Sequence, residues 1–170
     1  MTHRRIVAVV GNSRPPPQAL PVAESLGRLI VEAGWRLVTG GMGGVMEAAS
    51  RGAHAARGYR EGDVLGILPT SDRASGNPYV DIAVPSNLGC ARNVLVVATA
   101  DAVVAVGGGA GTLSEIALAW QLGRPLVALE VPGWSSKLAG QALDEKRDDV
   151  IVPAATPEEA IVAVGRALGE

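Results

Sequence analysis

The sequence predicts a doubly wound α/β fold, with helices on both faces of a mostly parallel sheet, and three observations lead there. Short runs rich in Val and Ala recur along the chain and are continuously apolar rather than alternating, the pattern of strands covered on both faces. Helical patterns separate these runs, so strand and helix alternate. Three of the strand-to-helix turns are marked by glycine, at Gly11, Gly40–Gly44 and Gly107–Gly111. The composition agrees: 170 residues, 48% hydrophobic, 19% charged and without Phe, which suits one domain over residues 1–170 with an aliphatic core.

Each element follows from its residues. Ile6–Val10 is a short β-branched run ending at Gly11 and reads as a buried strand. Pro15–Pro17 mark a loop, after which Pro21 opens a helical pattern with Val22, Leu26, Leu29 and Ile30 on one face, stopped by Gly34. Arg36–Thr39 is the second strand, and the alanine-rich stretch Val45–Arg57 is a helix stopped by Gly58. Val64–Leu68 is the third strand. Residues 69–88, rich in Pro, Ser and Asn, predict a long functional loop with a minor strand at Tyr79–Val84. Gly89–Ala100 reads as helix and Ala102–Val106 as strand. Thr112–Leu122 is the next helix, stopped by Gly123, and Pro125–Leu129 the next strand. A helix over Ser135–Glu145, a strand at Val150–Val152 and a last helix from Pro157, with Glu158 and Glu159 in its first turn, complete a Rossmann-like order.

Charge and residue counts exclude several functions. A net charge of -2, with a pI near 5.7, leaves no electrostatic footprint for nucleic acid or an anionic membrane. The single cysteine, Cys90, rules out an internal disulfide framework and reads as a small buried residue. The apolar run after the basic pair near the N-terminus is too short for a signal segment, and no stretch reaches membrane-spanning length, so a cytoplasmic protein is expected. His3 and His54 are isolated in sequence and no metal site is expected. The only lysines, Lys137 and Lys146, lie away from the glycine loops, which argues against a Schiff-base lysine.

The loops at Gly11–Arg14, Gly40–Gly44 and Gly107–Gly111 each follow a strand and precede a helix. In an open α/β sheet they share the edge outside the carboxyl ends of the strands, where ligands bind. Unpaired amides at a helix N-terminus favour an anion, and glycines allow it to reach the backbone. The candidate binding residues are Gly11, Asn12 and Ser13; Gly40, Gly41, Met42, Gly43 and Gly44; and Gly108, Gly109, Ala110, Gly111 and Thr112. Tight-turn chemistry alone is the plain structural alternative. The G-x-G-x-x-G register begun at Gly107 ends on Thr112, and no glycine-rich stretch ends in G-K-[ST], which excludes a P-loop.

Thr112 and Glu115 fit a capping box when taken alone. Their functional alternative puts the Thr112 hydroxyl on a phosphate and the Glu115 carboxylate across the mouth of the site. Arg92 reads by default as a surface arginine that could reach the same strand edge, and Asp101 as a solvated strand-edge residue.

The segment GGGAGTLSE resembles the PGGxGTxxE signature of the Lonely Guy family, phosphoribohydrolases that release cytokinin bases from nucleoside monophosphates. Members were long labelled lysine decarboxylases, a label the lysine count argues against. The likeness spans nearly the whole chain: the loop GNS, the loop and helix GGMGGVMEAA, and ARN followed by DAVVAVGGGAGTLSE. By position it makes Arg92 and Glu115 the catalytic pair. Three departures make the match closer to a sister branch that includes the molybdenum cofactor carrier proteins. Gly107 replaces the signature proline, Glu47 follows Val-Met where the hydrolases tend to have glycine, and Asn93 replaces a lysine.

Two functions follow from the resemblance. A carrier-like protein would hold a phosphorylated pterin, such as molybdenum cofactor, or a nucleotide on Gly108–Thr112, with Gly40–Gly44 closing over it; no cofactor would be required. A nucleoside 5'-monophosphate phosphoribohydrolase would cleave the N-glycosidic bond, with Glu115 stabilising the oxocarbenium-like charge or activating water and Arg92 holding phosphate or orienting Glu115. The departures around the site favour the carrier. The helix from Gly89 to Ala100 is apolar nearly all round (Val94, Leu95, Val96, Val97) and predicts a homodimer or homotetramer.

Overall fold

The structure is a computed structural model that describes residues 4–170, so His3 lies outside it. Seven strands form one sheet: β1 (Ile6–Gly11), β2 (Arg36–Thr39), β3 (Val64–Leu68), β4 (Ile82–Pro85), β5 (Ala102–Val106), β6 (Leu126–Leu129) and β7 (Val152–Ala154). Their order is β4-β3-β2-β1-β5-β6-β7, and every neighbouring pair is parallel. Six helices cover it: α1 (Ala19–Glu32), α2 (Val45–His54), α3 (Asn93–Thr99), α4 (Ala110–Gln121), α5 (Trp134–Leu138) and α6 (Pro157–Leu168). The Rossmann-like, doubly wound class expected from the alternation is the class observed. Among the described residues no helix is long and apolar enough to cross a membrane.

The strand period divides the core in two. Val7 and Val9 face a cluster with Leu26 and Ile30 of α1, Ala48 and Ala49 of α2, and Val164 of α6. Ala8 and Val10 face Val96 and Val97 of α3 and Ile116 and Trp120 of α4. On the first face α1 and α2 touch backbone to backbone. A Cβ at Gly27 would stand 1.9 Å from the Ala49 carbonyl oxygen, and one at Gly52 would stand 1.8 Å from that of Glu24. Glycine is required at both positions because nothing else lets the two helices approach so closely.

Chain order reverses between β1 and β5, so the connections leaving these neighbours diverge to opposite faces and open a crevice at their carboxyl ends. This switch point positions the site.

Several boundaries differ from the sequence reading. Helix α1 starts at Ala19, two residues before Pro21, whose fixed φ and missing N–H are tolerated in a first turn. Helix α2 ends at His54, short of Arg57. The minor strand expected at Tyr79–Val84 is β4, a full member of the sheet at its edge. Residues 89–100 form a 3-10 turn, Gly89–Arg92, followed by the shorter α3. Helix α4 begins at Ala110 rather than Thr112. The helix expected over Ser135–Glu145 stops at Leu138, where Ala139 turns extended and Gly140 takes a φ of +77°. The last strand lies two residues later than expected, at Val152–Ala154. Helix α6 starts at Pro157 as expected, with the Thr156 side chain capping the Glu159 amide.

Candidate functional site

The crevice at the switch point holds a cavity of about 510 Å³, within the usual range for small-molecule sites. Its walls include Gly11, Asn12, Ser13 and Arg14 after β1, Met42 and Met46 after β2, and Pro69 after β3. Gly89, Cys90, Arg92 and Asn93 reach it from the 3-10 turn and α3, and Gly109, Gly111, Thr112 and Glu115 from the start of α4. Gly40, Gly41, Gly43, Gly44, Gly108 and Ala110 do not line it.

The third glycine loop leads straight into α4. Leu113 donates the first helical bond, to the Gly109 carbonyl, so the amides of Ala110, Gly111 and Thr112 have no intrahelical acceptor. Around Gly111 there is open space where a side chain would stand, and a Cβ on Gly109 would meet only the Asn12 Nδ2, at 3.8 Å. Gly107 and Gly108 have other reasons to be glycine: φ values of +62° and +109°, and Thr112 packed against Gly108. The loop is pinned from beneath, because Ser135 Oγ accepts from the Gly107 amide at 2.7 Å and donates to the Leu129 carbonyl.

The second loop is filled by the protein itself. A Cβ on Gly40 would lie 2.2 Å from Arg92 Nη2, so this glycine leaves room for the guanidinium. Gly44, at φ +69°, rests on the Asn12 and Ser13 carbonyls. Asn77 braces the loop from residues 69–81: its amide donates to the Gly41 carbonyl at 2.8 Å and its Nδ2 to the Met42 carbonyl at 3.0 Å.

Arg92 is not a surface arginine. It is 8% exposed, and its Nη1 donates to Asn93 Oδ1 and to Glu115 Oε1, the latter at 3.3 Å. Its Nη2 has Met46 Sδ at 3.9 Å, and its buried Nε has no partner. Asn93 is fixed in turn, its Nδ2 donating to Ser114 Oγ at 2.8 Å. The capping-box reading of Thr112 and Glu115 is corrected. With α4 starting at Ala110, Gly109 is the N-cap and has no side chain to cap with, while Glu115 turns inward to Arg92. Burial pushes the Glu115 carboxyl up to about 7, against the opposing pull of the Arg92 charge and hydrogen bond.

Three further readings change. Cys90 is exposed and lines the cavity rather than the core, because the turn that carries it lies over the crevice. Asp101 is only partly exposed; it accepts from the Ile6 amide at 2.8 Å and pairs with Arg5. His54 is not isolated: its Nε2 lies 3.0 Å from the Tyr79 carbonyl and 3.2 Å from Asp81 Oδ1. Met46, Pro69 and Gly89 line the cavity without a sequence signal that marked them as site residues. Of these, Met46 was within reach, two residues past Gly44 in the first turn of α2.

The fold and crevice thus define a Rossmann-like protein with a small-molecule-sized cleft at its switch point. A family model described as the SLOG cluster4 family matches residues 4–161, and the chain belongs to that family. The molybdenum cofactor binding protein of the phototrophic bacterium Rippkaea orientalis is 36% identical, each chain is covered to 99%, and the TM-score is 0.86. The molybdenum cofactor carrier protein of Chlamydomonas reinhardtii is 32% identical, over 98% of this chain and all of that one, with a TM-score of 0.82. An uncharacterized Archaeoglobus fulgidus protein is 39% identical over 126 residues, 74% of this chain and 80% of its own length. These matches bear out the resemblance to the Lonely Guy superfamily and its carrier branch.

Proposed function

We propose that the protein is a carrier-like binder of a phosphorylated small molecule of the molybdenum cofactor type. The observation that carries this reading is the open space at Gly109 and Gly111, beside three helix amides that lack intrahelical acceptors. Those amides would hold the phosphate, with Thr112 adding a hydroxyl and Arg14, an exposed arginine on the cavity wall beyond the expected binding residues, adding charge. Gly11, Asn12, Ser13 and Met42 would flank the rest of the ligand, and Gly40, Gly41, Gly43 and Gly44 would shape the wall behind it. Likeness to two solved proteins named for molybdenum cofactor supports the ligand class. The bound group would supply its metal chemistry to a downstream acceptor; this chain would bind it, orient it and shield it from water.

The test is binding of a phosphorylated pterin by the purified protein, followed by fluorescence, with mass spectrometry of any co-purified ligand. Gly111→Val is expected to abolish binding while leaving the circular dichroism spectrum unchanged. Unaltered affinity in that folded variant would remove the loop from the site.

One observation favours phosphoribohydrolase activity as a second reading: a carboxyl raised to about 7 beside a buried arginine in the cleft is the kind of group that serves acid–base chemistry. Purine nucleoside monophosphates would then yield free base and ribose 5-phosphate, and Glu115→Gln would slow the reaction by roughly a hundredfold or more. The carrier reading expects no free base.

A homodimer or homotetramer is part of the same proposal. Val94 and Leu95 of α3 and Leu88 just before it are exposed beside the cleft. Light scattering at micromolar concentration is expected to give twice or four times the 17.3 kDa chain mass.

A further inference from the structure

We infer that the cleft reads a soft, sulfur-coordinated centre on its ligand through the side chains of Cys90, Met42 and Met46. The inference rests on the carrier reading and specifies the part of the ligand that the phosphate site does not touch.

The chain has one cysteine and three methionines. Apart from Met1, every sulfur-bearing side chain lines this one cleft. The three come from separate places: Met42 from the loop after β2, Met46 from the first turn of α2, and Cys90 from the 3-10 turn after β4. Met46 is buried as a core methionine would be, but ordinary packing does not account for the other two. Cysteine is among the most buried residue types, yet Cys90 is exposed, and Met42 is partly so.

The hard donors come from other elements. Arg14 follows β1, and the α4 amides follow β5; β2, β3 and β4 all lie on the opposite side of β1 from β5. The turn carrying Cys90 nevertheless crosses back to α4 through the Arg92–Glu115 and Asn93–Ser114 bonds, while the Met42 and Met46 segment packs on the loop of Arg14, so a ligand in the crevice meets N–H donors and polarisable sulfur on both walls. Thiolate and thioether groups prefer soft partners to oxygen-ligated ones. A second feature marks a ligand position among the sulfurs. Arg92, buried in the same wall at 8% exposure, gives its Nη1 to Asn93 and Glu115 but leaves Nε without a partner and has only Met46 Sδ, at 3.9 Å, on Nη2. These two buried donors, poorly served by the protein, would be satisfied by an acceptor atom on the ligand.

Two probes isolate the softness. Tetrathiomolybdate and molybdate are tetrahedral dianions of one metal, differing in sulfur against oxygen, and both would be titrated calorimetrically against the intact protein beside inorganic phosphate. The wild type is expected to prefer tetrathiomolybdate by about tenfold or more, and Cys90→Ser and Met42→Leu each to bring that ratio towards one. Both are mild changes, at an exposed site and with near-equal volume. Alkylation of Cys90 by N-ethylmaleimide should also slow with tetrathiomolybdate and not with molybdate. Equal affinities, a ratio unmoved by Cys90→Ser, or no binding of tetrathiomolybdate would each overturn the inference. Phosphate separates it from its parent: phosphate bound with a ratio of one removes only the soft contact, whereas no phosphate binding in the wild type counts against the carrier reading.

Discussion

The loops Gly40–Gly44 and Gly107–Gly111 look alike in sequence and differ in what fills the space beside them. Around the first, the protein occupies that space: Arg92 against Gly40, Leu68 against Gly41, and the Asn12 and Ser13 carbonyls against Gly44. Around the second, Gly107 and Gly108 answer to backbone geometry, while Gly109 and Gly111 border the cleft with no close neighbour. Glycine density therefore reports a close approach without saying whose atoms approach. One loop makes room for an arginine, and the other leaves room at the helix amides.

Three measurements would break or sharpen that contrast. Gly44→Ala should have the largest effect. Its Cβ would lie 2.4 Å from the Asn12 carbonyl oxygen, at φ +69°, and a backbone atom cannot swing aside. A loss of about 4 kcal/mol in urea unfolding is expected from strain and overpacking together. A variant as stable as the wild type would show that the first loop is not filled as described.

The pair that Gly40 accommodates gives the next largest effect. Glu115 holds its proton up to about pH 7 when folded and releases it near 4.5 when unfolded. Between those values the folded state binds more protons, so this group's contribution to stability is complete below pH 4.5 and is lost as pH rises through 7. The loss is on the order of 3 kcal/mol. Glu115→Gln, which still offers Arg92 an oxygen, should flatten the stability profile between pH 4.5 and 7. An unchanged slope would mean that Glu115 is not the buried acid.

Gly111→Ala should have the smallest effect and the opposite sign. The position is helical and open, so a methyl group is expected to raise stability by about 0.5 kcal/mol through the unfolded chain. The same methyl would protrude where the ligand phosphate is proposed to sit. A drop in stability at this position would erase the distinction between the two loops.

Much of the fold was legible because it depends on local signals. β3 and β5 are continuous apolar runs that keep their expected bounds, as does the short β2, and α6 announces itself with Thr156, Pro157 and two glutamates. The helix after Gly133 was misread because Ser135–Glu145 has helical composition, yet Gly140 breaks the chain direction. At the site, the glycine loops and the Arg92 and Glu115 positions were readable, but the burial of the pair was not. Arg92 and Glu115 belong to different elements, and only the packing of α2, α3 and α4 takes both out of water. Cys90 departs from its expected burial for a related reason: cysteine as a residue type is usually buried, whereas the 3-10 turn lays this one over the crevice.

The backbone contact between α1 and α2 has a consequence for how the cleft can respond. Gly27 and Gly52 let each helix press on the other's carbonyls, and the Val45 amide donates to the Asn12 carbonyl at 3.0 Å. The segments entering these helices, one after β1 and one after β2, are thereby joined into a single fixed jaw. Adjustment to a bound molecule would then fall to the other jaw, the turn carrying Cys90 and the first residues of α4. A bulkier residue at Gly27 or Gly52, neither of which lines the cleft, would wedge the fixed jaw out of line and displace both of its loops together.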